Sequence, residues 1–339
     1  MKLKDMAIIC YTHSIHLSLR IKRKHNNKVI QTVLFLICLP YIVGKWLAET
    51  IYEYTFGIII VSRRLKKEKL MHFEDELAFV AIVKNEATYI KEWIEFHKNV
   101  GVTRFYIYDN ESTDNIKQVL KPYIESGEVV YCYYPGQAKQ VDAYNDAIRK
   151  YGAITRYMGF IDIDEFVLPT DARKKLNQVV KEILMMKPNA SGVGVDWYIY
   201  GSSGYIERPN GLIIENYLKR AADSAWQNRH IKTICNPRLV KDYISPHFPI
   251  YYLGAWSVNE NGKRLHAWYN KDINYSKIRC NHYFCKSKEE FIKKQNRGLA
   301  DRTTKYDMSK FDVYNLNDVY DDTMSRYINE VKMRLKADF

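Results

Sequence analysis

Short apolar runs alternate with stretches of helical periodicity between residues 77 and 166. The run LAFVAIV (77–83) is continuous and apolar, which is typical of a strand buried on both faces. A helical stripe follows in ATYIKEWIEFHKNV, and Gly101 stands where such a helix would end. The alternation continues through RFYIYDN, STDNIKQVLKPYI, EVVYCYY, QVDAYNDAIRKY and RYMGFIDIDEF. This order predicts an α/β fold, with a mainly parallel sheet flanked by helices.

The pattern loosens beyond residue 170. An amphipathic helix is predicted in RKKLNQVVKEILMM, and short strands and loops then favour a mixed, partly antiparallel region. KEEFIKKQNRG and DVYDDTMSRYINEVKMRLK have helical patterns. We therefore expect three regions: an N-terminal helical segment (1–75), the α/β domain (76–300) and a C-terminal helical tail (301–339).

The N-terminal segment combines basic and apolar stretches. Residues 29–44 carry no charge over 16 positions, whereas a membrane-spanning helix needs about 20 apolar residues. Pro40 interrupts this run, and a second apolar patch, YTFGIIIV (54–61), leads into the basic sequence RRLKKEK. Because both outer flanks are basic, we expect a re-entrant or in-plane anchor on the cytoplasmic side of the membrane. A single span and an amphipathic helical pair packed on the domain are the alternatives.

Charge supports a membrane-facing N-terminus. Residues 1–75 hold 13 Lys and Arg against 6 Asp and Glu, so they carry seven of the net 13 positive charges. A basic end beside apolar segments favours an anionic membrane surface as partner, and no nucleic-acid-binding motif is present in the sequence. The six cysteines include no C-x-x-C pair, so we expect reduced thiols in a cytosolic protein.

Polar residues follow several of the predicted strands. In parallel α/β sheets, ligands bind outside the carboxyl ends of the strands, where Lys84-Asn85-Glu86 and Asp109-Asn110 fall in this chain. Asp162 and Asp164 are expected at the same edge and, two positions apart on a strand, on one face of it. Two carboxylates there suit Mn²⁺ or Mg²⁺. A salt-bridged strand end is the alternative.

Five ordered blocks resemble glycosyltransferase family 92 and its bacterial relatives of the family-2 type. The blocks are AIVKNEATYIKEWIEFHKNVGVTRFYIYDNESTD, PGQAKQVDAYNDAI, FIDIDEFV, HIKTICNP and NHYFCKSKEEF. The resemblance implies a GT-A-type fold, a UDP-sugar donor and a divalent metal. It also implies a hexosyltransferase of inverting type, with galactose as a typical donor sugar.

The resemblance also implies roles for individual residues. Asp162 and Asp164 match the D-x-D pair, with Asp164 on the metal, Asp162 on metal or ribose, and His282 as a third metal ligand. The loop Lys84-Asn85-Glu86 would hold the base and ribose. The remaining donor-site candidates are Asp109 at the uracil or ribose, Gln140 and Asn145 along the pocket, and Lys232 at the diphosphate.

Structural roles stay open for several of these residues. Glu86 could be an acid in the first turn of a helix, and Asp109 a turn aspartate. His282 could be a core histidine, and Lys232 a solvated lysine.

An inverting transfer needs a general base for the acceptor hydroxyl. The acids nominated are Asp223, Asp196 and Glu260, all in the looser second half of the domain. Asp223 is preferred because the ring of Trp226 nearby could stack on a sugar.

The sequence thus predicts a metal-dependent hexosyltransferase that acts on a carbohydrate or lipid-linked glycan acceptor, in surface polysaccharide synthesis. A non-catalytic sugar-binding or scaffold protein that keeps the fold is the alternative. A nucleotidyl- or phosphotransferase would want a glycine-rich phosphate loop after the first strand, and VKNEA is not one.

Overall fold

The structure is a computed structural model that describes residues 28–298, 300 and 307–337. The chain forms two compact units. The described part of the first comprises residues 28–71 with 251–255, and that of the second comprises 72–250 with 256–337. The cysteines of the described residues are free thiols.

The first unit consists mainly of one continuous helix. It is made of α1 (Lys28–Tyr52), a π-helical turn (Glu53–Gly57) and α2 (Ile58–Glu68). Pro40 lies within α1 without ending it. A Cβ on Gly57 would lie 2.8 Å from the carbonyl oxygen of Leu253, so glycine permits this close approach of two backbones.

Within the described chain, Thr32–Glu68 is the one helix long and apolar enough to cross a membrane by length and composition. Only 11% of its most apolar window is buried. The two apolar patches expected on either side of a re-entrant turn therefore lie on a single helix. The basic residues 20–27 lie outside the described residues.

A mixed sheet of nine strands forms the centre of the second unit, within the residues described. Its strands are β1 (Asp75–Val83), β2 (Arg104–Asp109), β3 (Val129–Tyr133), β4 (Thr155–Phe160), β5 (Glu165–Pro169), β6 (Ala190–Ile199), β8 (Ile231–Cys235), β11 (Trp256–Val258) and β12 (Ile278–His282). Their order is β3-β2-β1-β4-β8-β6-β12-β5, with β11 paired to β6. Strands β1 to β4 are mutually parallel, whereas β8 runs antiparallel to both β4 and β6.

Helices and two small ribbons complete the second unit. The ribbons pair β7 (Lys219–Arg220) with β13 (Val319–Tyr320) and β9 (Val240–Tyr243) with β10 (Pro249–Tyr251). The α-helices are α3 (Ile90–Asn99), α4 (Ile116–Glu125), α5 (Gln140–Tyr151), α6 (Leu176–Met185), α7 (Ile213–Asn216), α8 (Lys288–Arg297), α9 (Met308–Tyr314) and α10 (Ser325–Ala337). Short 3₁₀-helices span Trp226–Arg229 and Pro237–Leu239. The predicted mixed, mainly parallel α/β fold is confirmed.

The C-terminal residues belong to the core of the second unit. The ring of Tyr327 in α10 packs edge-on against Phe96 of α3, with centroids 5.2 Å apart. Asp321 is buried and accepts hydrogen bonds from the guanidinium groups of Arg220 and Arg279. The described part of the expected helical tail is therefore continuous with the α/β domain.

The stretch expected to be one strand from 156 to 166 is broken in two. Strand β4 ends at Phe160 and β5 begins at Glu165, so Asp162 and Asp164 lie in the turn between them. The turn is closed by a hydrogen bond from the Glu165 amide to the Asp162 carbonyl oxygen at 3.0 Å. The strand alternation used to place both carboxylates on one face therefore does not apply.

Candidate functional site

A cavity of about 250 Å³ opens at the carboxyl ends of the central strands. Lys84 follows β1, Asn110 follows β2, the Asp162–Asp164 turn follows β4, and His282 ends β12. Each element delivers a polar side chain at the edge where parallel strands of such sheets bind ligands. Helix α8 contributes Lys294 and Arg297 to the same wall.

Asp162 is the more exposed of the two aspartates, with 32% of its side chain accessible. Its Oδ1 accepts hydrogen bonds from Gln140 Nε2 at 2.8 Å and from Tyr144 OH at 3.3 Å. Its Oδ2 accepts one from Lys232 Nζ at 2.8 Å. Both oxygens are therefore oriented by neighbours while the group faces the cavity.

Asp164 is nearly buried and lies between a lysine and a histidine. Its Oδ2 accepts a hydrogen bond from Lys294 Nζ at 2.6 Å, and its Oδ1 lies 3.5 Å from His282 Nε2. Although burial opposes ionisation, the ammonium of Lys294 and the neighbouring ring of His282 hold the pKa of Asp164 well below its usual range. Asp164 is therefore ionised at neutral pH.

Glu165 organises the turn from below. Its side chain is fully buried, and its Oε2 accepts a hydrogen bond from the Asp162 amide at 2.8 Å. Burial raises the pKa of Glu165 well above its usual range, with Lys232 opposing the shift. Trp93 of α3 donates from Nε1 to the Glu165 carbonyl oxygen at 2.9 Å, which ties the turn to the helical layer.

The donor atoms near this turn determine whether a divalent cation fits. Asp162, Asp164 and His282 line one cavity and offer the carboxylate and imidazole ligands that Mn²⁺ accepts. His282 Nδ1 and Glu165 Oε1 are 3.9 Å apart, and each is a buried atom without a hydrogen-bond partner among the described residues. A metal-bound histidine commonly directs its second nitrogen to a carboxylate, so these residues fit the group.

The same residues do not form a ready-made metal cluster. No three acidic, histidine or cysteine side chains of the described residues are grouped closely enough to hold an ion. Lys294 occupies one oxygen of Asp164, and Lys232 occupies one of Asp162. A cation would bind the carboxylate oxygens and lone pairs of Asp162 and Asp164 that these hydrogen bonds leave free.

The loop after β1 contributes Lys84 and Glu86 to the cavity. Glu86 is buried and forms an ion pair with the Arg297 guanidinium, which also donates to the Lys84 carbonyl oxygen at 3.1 Å. The other carboxylate oxygen of Glu86, Oε2, is buried without a hydrogen-bond partner among the described residues. A buried hydrogen-bond acceptor in this state suits a ligand that supplies a hydrogen-bond donor.

Asn85 and Asp109 stabilise loops around the cavity. Asn85 has φ of +54°, and its Oδ1 accepts a hydrogen bond from the Thr113 amide at 2.7 Å. Asp109 accepts hydrogen bonds from the Ser112 amide at 2.9 Å and from the Tyr131 hydroxyl. Neither residue lines the cavity in the described part of the chain, so the base and ribose contacts expected of them stay predictions.

Lys232 and Asn145 also differ from their expected roles. Lys232 is fully buried below the turn, where it contacts Asp162 at 2.8 Å and Glu165 at 3.4 Å, so it neutralises carboxylates rather than facing a diphosphate. Asn145 uses its amide to bind both the N–H and the carbonyl oxygen of Tyr243. It therefore attaches α5 to β9, whereas Gln140 on the same helix does line the cavity.

The acids nominated as general base lie outside this cavity of the described chain. Asp223 is 70% exposed and pairs with Arg220 at 2.7 Å. Glu260 is buried and accepts hydrogen bonds from the amides of Ser276, Lys277 and Ile278, so it shapes the approach to β12. Both carboxylates are therefore engaged by residues of the fold itself and do not face the cavity where an acceptor sugar would bind.

Asp196 is likewise held inside the fold. Its Oδ2 accepts hydrogen bonds from Asn270 Nδ2 at 3.0 Å and from the Asn274 amide at 3.3 Å. Burial raises its pKa to about 7, and the two hydrogen bonds oppose the shift. Such a pKa would suit a base, but the side chain is 98% buried and does not reach the cavity.

The sequence profile of glycosyltransferase family 92 matches residues 80–322, which begin within β1 and include the later elements around the cavity through α9. The chain belongs to glycosyltransferase family 92. The resemblance drawn from the five sequence blocks is thereby confirmed.

Three plant members of family 92 are similar to this chain. The protein from Ricinus communis is 29% identical over 147 residues, covering 43% of this chain and 26% of its own length. The one from Oryza sativa subsp. japonica is 30% identical over 146 residues, covering 42% and 24%. The one from Arabidopsis thaliana is 29% identical over 182 residues, covering 52% and 31%. The match thus spans between 24% and 31% of these relatives.

Two solved structures are similar to part of this family 92 chain at low identity. TarS 1–349 of S. aureus in complex with UDP has a TM-score of 0.34 and 13% identity, over 48% of this chain and 47% of that one. Glucosyl-3-phosphoglycerate synthase from Mycobacterium tuberculosis in complex with phosphoglyceric acid has a TM-score of 0.30 and 15% identity, over 57% and 72%.

Several cavity residues of this family 92 chain were not singled out from the sequence. They are Lys294 and Arg297 on α8, Lys310 and Tyr314 on α9, and Trp197, His230 and His247 near the centre. His230 and His282 do lie inside blocks that carry the family resemblance, which was the available signal for His230. From sequence alone, Lys294 and Lys310 cannot be distinguished from lysines on the solvent-exposed face of a helix.

Proposed function

We propose that this family 92 chain transfers a hexose from a UDP-sugar to a hydroxyl of a carbohydrate or lipid-linked glycan. One observation carries the proposal: the Asp162–Asp164 turn faces a cavity whose walls also hold Lys84, Lys294 and Arg297. Acidic and basic groups at a common edge suit a metal–diphosphate unit, because each charge finds an opposite partner.

The chain's own residues would divide the work of binding a nucleotide sugar. Arg297 and Lys294 would neutralise the diphosphate oxygens. Glu86 Oε2, which has no hydrogen-bond partner among the described residues, would accept a hydrogen bond from the base or ribose. Gln140, Tyr144 and Lys232 would keep Asp162 oriented. Mn²⁺ or Mg²⁺ held by Asp162, Asp164 and His282 would stabilise the negative charge that develops on the leaving UDP.

The long N-terminal helix supports a membrane location for the acceptor. Apolar side chains such as Leu36 and Ile37 are 58% and 68% exposed, and the last turn of α2 is basic. Apolar area with flanking lysine and arginine binds anionic lipid surfaces. We place the chain on the cytoplasmic side of the cell membrane, where it would extend a surface polysaccharide or a lipid-linked glycan.

UDP release is the direct test of the transfer. Purified chain is incubated with UDP-galactose, UDP-glucose or UDP-N-acetylglucosamine, with Mn²⁺, with Mg²⁺ or with EDTA. We expect release from one donor, dependent on a divalent ion and abolished by Asp164→Asn. Donor binding without any UDP release would instead indicate a sugar-binding protein. The proposal would be overturned if the chain neither binds a donor nor releases UDP.

A further inference from the structure

Three histidine rings surround one buried tryptophan within the cavity. Trp197 stacks on His230 with ring centroids 4.9 Å apart, and meets His282 edge-on at 4.2 Å and His247 edge-on at 5.3 Å. All four residues line the cavity. Because His282 also adjoins Asp164, Trp197 connects the proposed metal turn to the region around His230.

The proton on neutral His230 can be assigned from its hydrogen bond. Its Nδ1 lies 3.1 Å from the Gln227 carbonyl oxygen, and a carbonyl can only accept. Nδ1 therefore carries the hydrogen, and Nε2 carries the lone pair. Burial lowers the pKa of His230, and the nearby His282 and Lys310 lower it further, so the ring is neutral at pH 7.

Two exposed tryptophans flank His230. Trp268 is 43% exposed with its ring centroid 4.9 Å from that of His230, and Trp226 is 53% exposed at 6.0 Å. Trp268 is fixed in place because its carbonyl oxygen accepts a hydrogen bond from the Ile231 amide of β8. Trp226 contacts the ring of Tyr314, another residue of the cavity wall. Exposed indole rings beside a polar group suit a sugar ring, because the apolar face of the sugar stacks on the indole and its hydroxyls form hydrogen bonds.

We propose that Trp226 and Trp268 bind the acceptor sugar and that His230 Nε2 is the general base for its hydroxyl. This inference rests on the proposed glycosyl transfer and names the acceptor half of that site. The acceptor O–H bond breaks and its proton moves to Nε2. The freed oxygen forms a bond to the anomeric carbon, while the bond from that carbon to the diphosphate oxygen breaks and its electron pair leaves with UDP.

His247 is another histidine of the cavity wall whose hydrogen bond places the lone pair on Nε2. Its Nδ1 faces the Ile231 carbonyl oxygen at 3.1 Å, so the same assignment holds. However, the buried ammonium of Lys232 is among the groups that lower the pKa of His247. The ring contacts with the exposed Trp226 and Trp268 are made by His230. These contacts assign the base to His230.

The test compares transfer with donor binding. UDP release from UDP-galactose, UDP-glucose and UDP-N-acetylglucosamine is followed with p-nitrophenyl glycosides of the same sugars as acceptors, and with water alone. His230→Gln should lower the rate about 10²- to 10⁴-fold, the usual effect of losing a general base. The thermal shift produced by UDP should stay unchanged, which separates lost catalysis from lost folding. Imidazole added to His230→Ala should restore part of the rate.

The tryptophans are tested by their effect on the acceptor alone. Trp226→Ala and Trp268→Ala should each raise the acceptor KM about tenfold, at an unchanged donor KM. His72→Gln and Tyr320→Ala are matched controls, because both residues are exposed and lie outside the cavity.

The outcomes distinguish the inference from the proposed function. If the wild-type chain releases UDP and His230→Gln stays within threefold of it, the base assignment is overturned while the transferase remains. If the tryptophan variants change the donor KM instead, the acceptor subsite is overturned. If the wild type releases no UDP from any donor, the proposed function fails and the inference fails with it.

Discussion

Lys232 Nζ donates to Asp162 Oδ2 at 2.8 Å and also lies 3.4 Å from Glu165 Oε2, with the lysine side chain entirely buried. One ammonium thus contacts two acidic side chains below the cavity. Asp162, Glu165 and Tyr144 raise the pKa of Lys232 well above its usual range against the effect of burial, so it remains charged. The Asp162–Asp164 turn therefore depends on the ammonium of Lys232, which is not among the described residues that line the cavity.

Lys232→Met should accordingly destabilise the fold. Removing one partner of a buried ion pair leaves charge without compensation, and typically costs about 3–5 kcal/mol of unfolding free energy. Urea unfolding of the two proteins measures this loss. Lys241→Met on the exposed face of β9 is the matched control and should change little. A Lys232→Met protein within 1 kcal/mol of wild type would contradict the role of this lysine.

Asp164→Asn should abolish most of the proposed transfer. We expect UDP release to fall about 10²- to 10³-fold, because one charged group facing the reaction centre is lost. The pKa of Asp164 lies well below its usual range, so the difference from wild type should be the same at pH 6 and pH 8. Asp171→Asn, an exposed aspartate paired with Arg173, is the control. Equal rates for both variants would exclude Asp164 from the site.

Glu86→Gln should weaken nucleotide binding more than folding. The buried Oε2 has no hydrogen-bond partner among the described residues, and the amide puts a donor or a neutral acceptor in its place. We expect the Kd for UDP, measured by calorimetry, to rise about tenfold, the loss expected for a hydrogen bond to a charged group. The exposed Glu76, paired with Arg156, gives the control Glu76→Gln. An unchanged Kd would argue that this acid acts only on Arg297.

The buried carboxyl of Asp196 should make stability pH-dependent. Its pKa is about 7 in the folded chain against 3.8 as the reference, so the folded state binds the proton more tightly. The stability that this group contributes is full below pH 4 and is lost as the pH rises to about 7. Asp196→Asn should flatten that slope, which amounts to roughly 4 kcal/mol over the window, because each pKa unit corresponds to about 1.4 kcal/mol.

Urea midpoints of both proteins between pH 4 and pH 8 measure the effect of Asp196. Because Asp196 lies outside the cavity of the described chain, UDP release by the variant should stay within about threefold of wild type. Parallel pH curves would show that another group carries the slope. A loss of turnover with an intact fold would return Asp196 to the list of bases.

The long helix should bind anionic membranes through its exposed apolar side chains. Replacing Leu36 and Ile37 together by Ser should lower binding to phosphatidylglycerol vesicles more than about 10²-fold, since each buried side chain of this size contributes about 1.5–3 kcal/mol. Co-sedimentation measures the bound fraction. Ile206 and Met185, also exposed, provide the matched double Ser control. Equal sedimentation of all three proteins would contradict the membrane role of the helix.

Local patterns predicted the regular part of the fold well. Helix α5 has the predicted bounds, Gln140–Tyr151, because its amphipathic stripe and the strand after it are both encoded nearby. The break after Phe160 was missed. It arises because the buried Glu165 carboxylate accepts from the Asp162 amide, a contact that hydrophobic periodicity does not reveal. Pro40 was given too much weight, since α1 continues through it.

The candidate site could be predicted only where its residues follow the strands. Asp162, Asp164, His282, Lys84, Glu86 and Gln140 line the cavity as expected. Lys294 reaches Asp164 from a helix 130 positions away in the chain, and no spacing rule connects them. The structural contacts of the nominated bases could not be predicted for a similar reason: nothing next to Glu260 in sequence shows that its oxygens accept hydrogen bonds from the amides of 276–278.

The hydrogen bonds of Gln140, Tyr144 and Lys232 to Asp162 have a consequence for how a ligand is received. They restrict the torsions of this side chain before any ligand arrives, so its rotational entropy is lost during folding and not during binding. A variant that loosens these contacts, such as Gln140→Ala, would then bind with a larger entropic penalty even though the aspartate itself is retained. Part of the entropic cost of ordering the binding site is therefore met by the free energy of folding and does not weaken ligand binding.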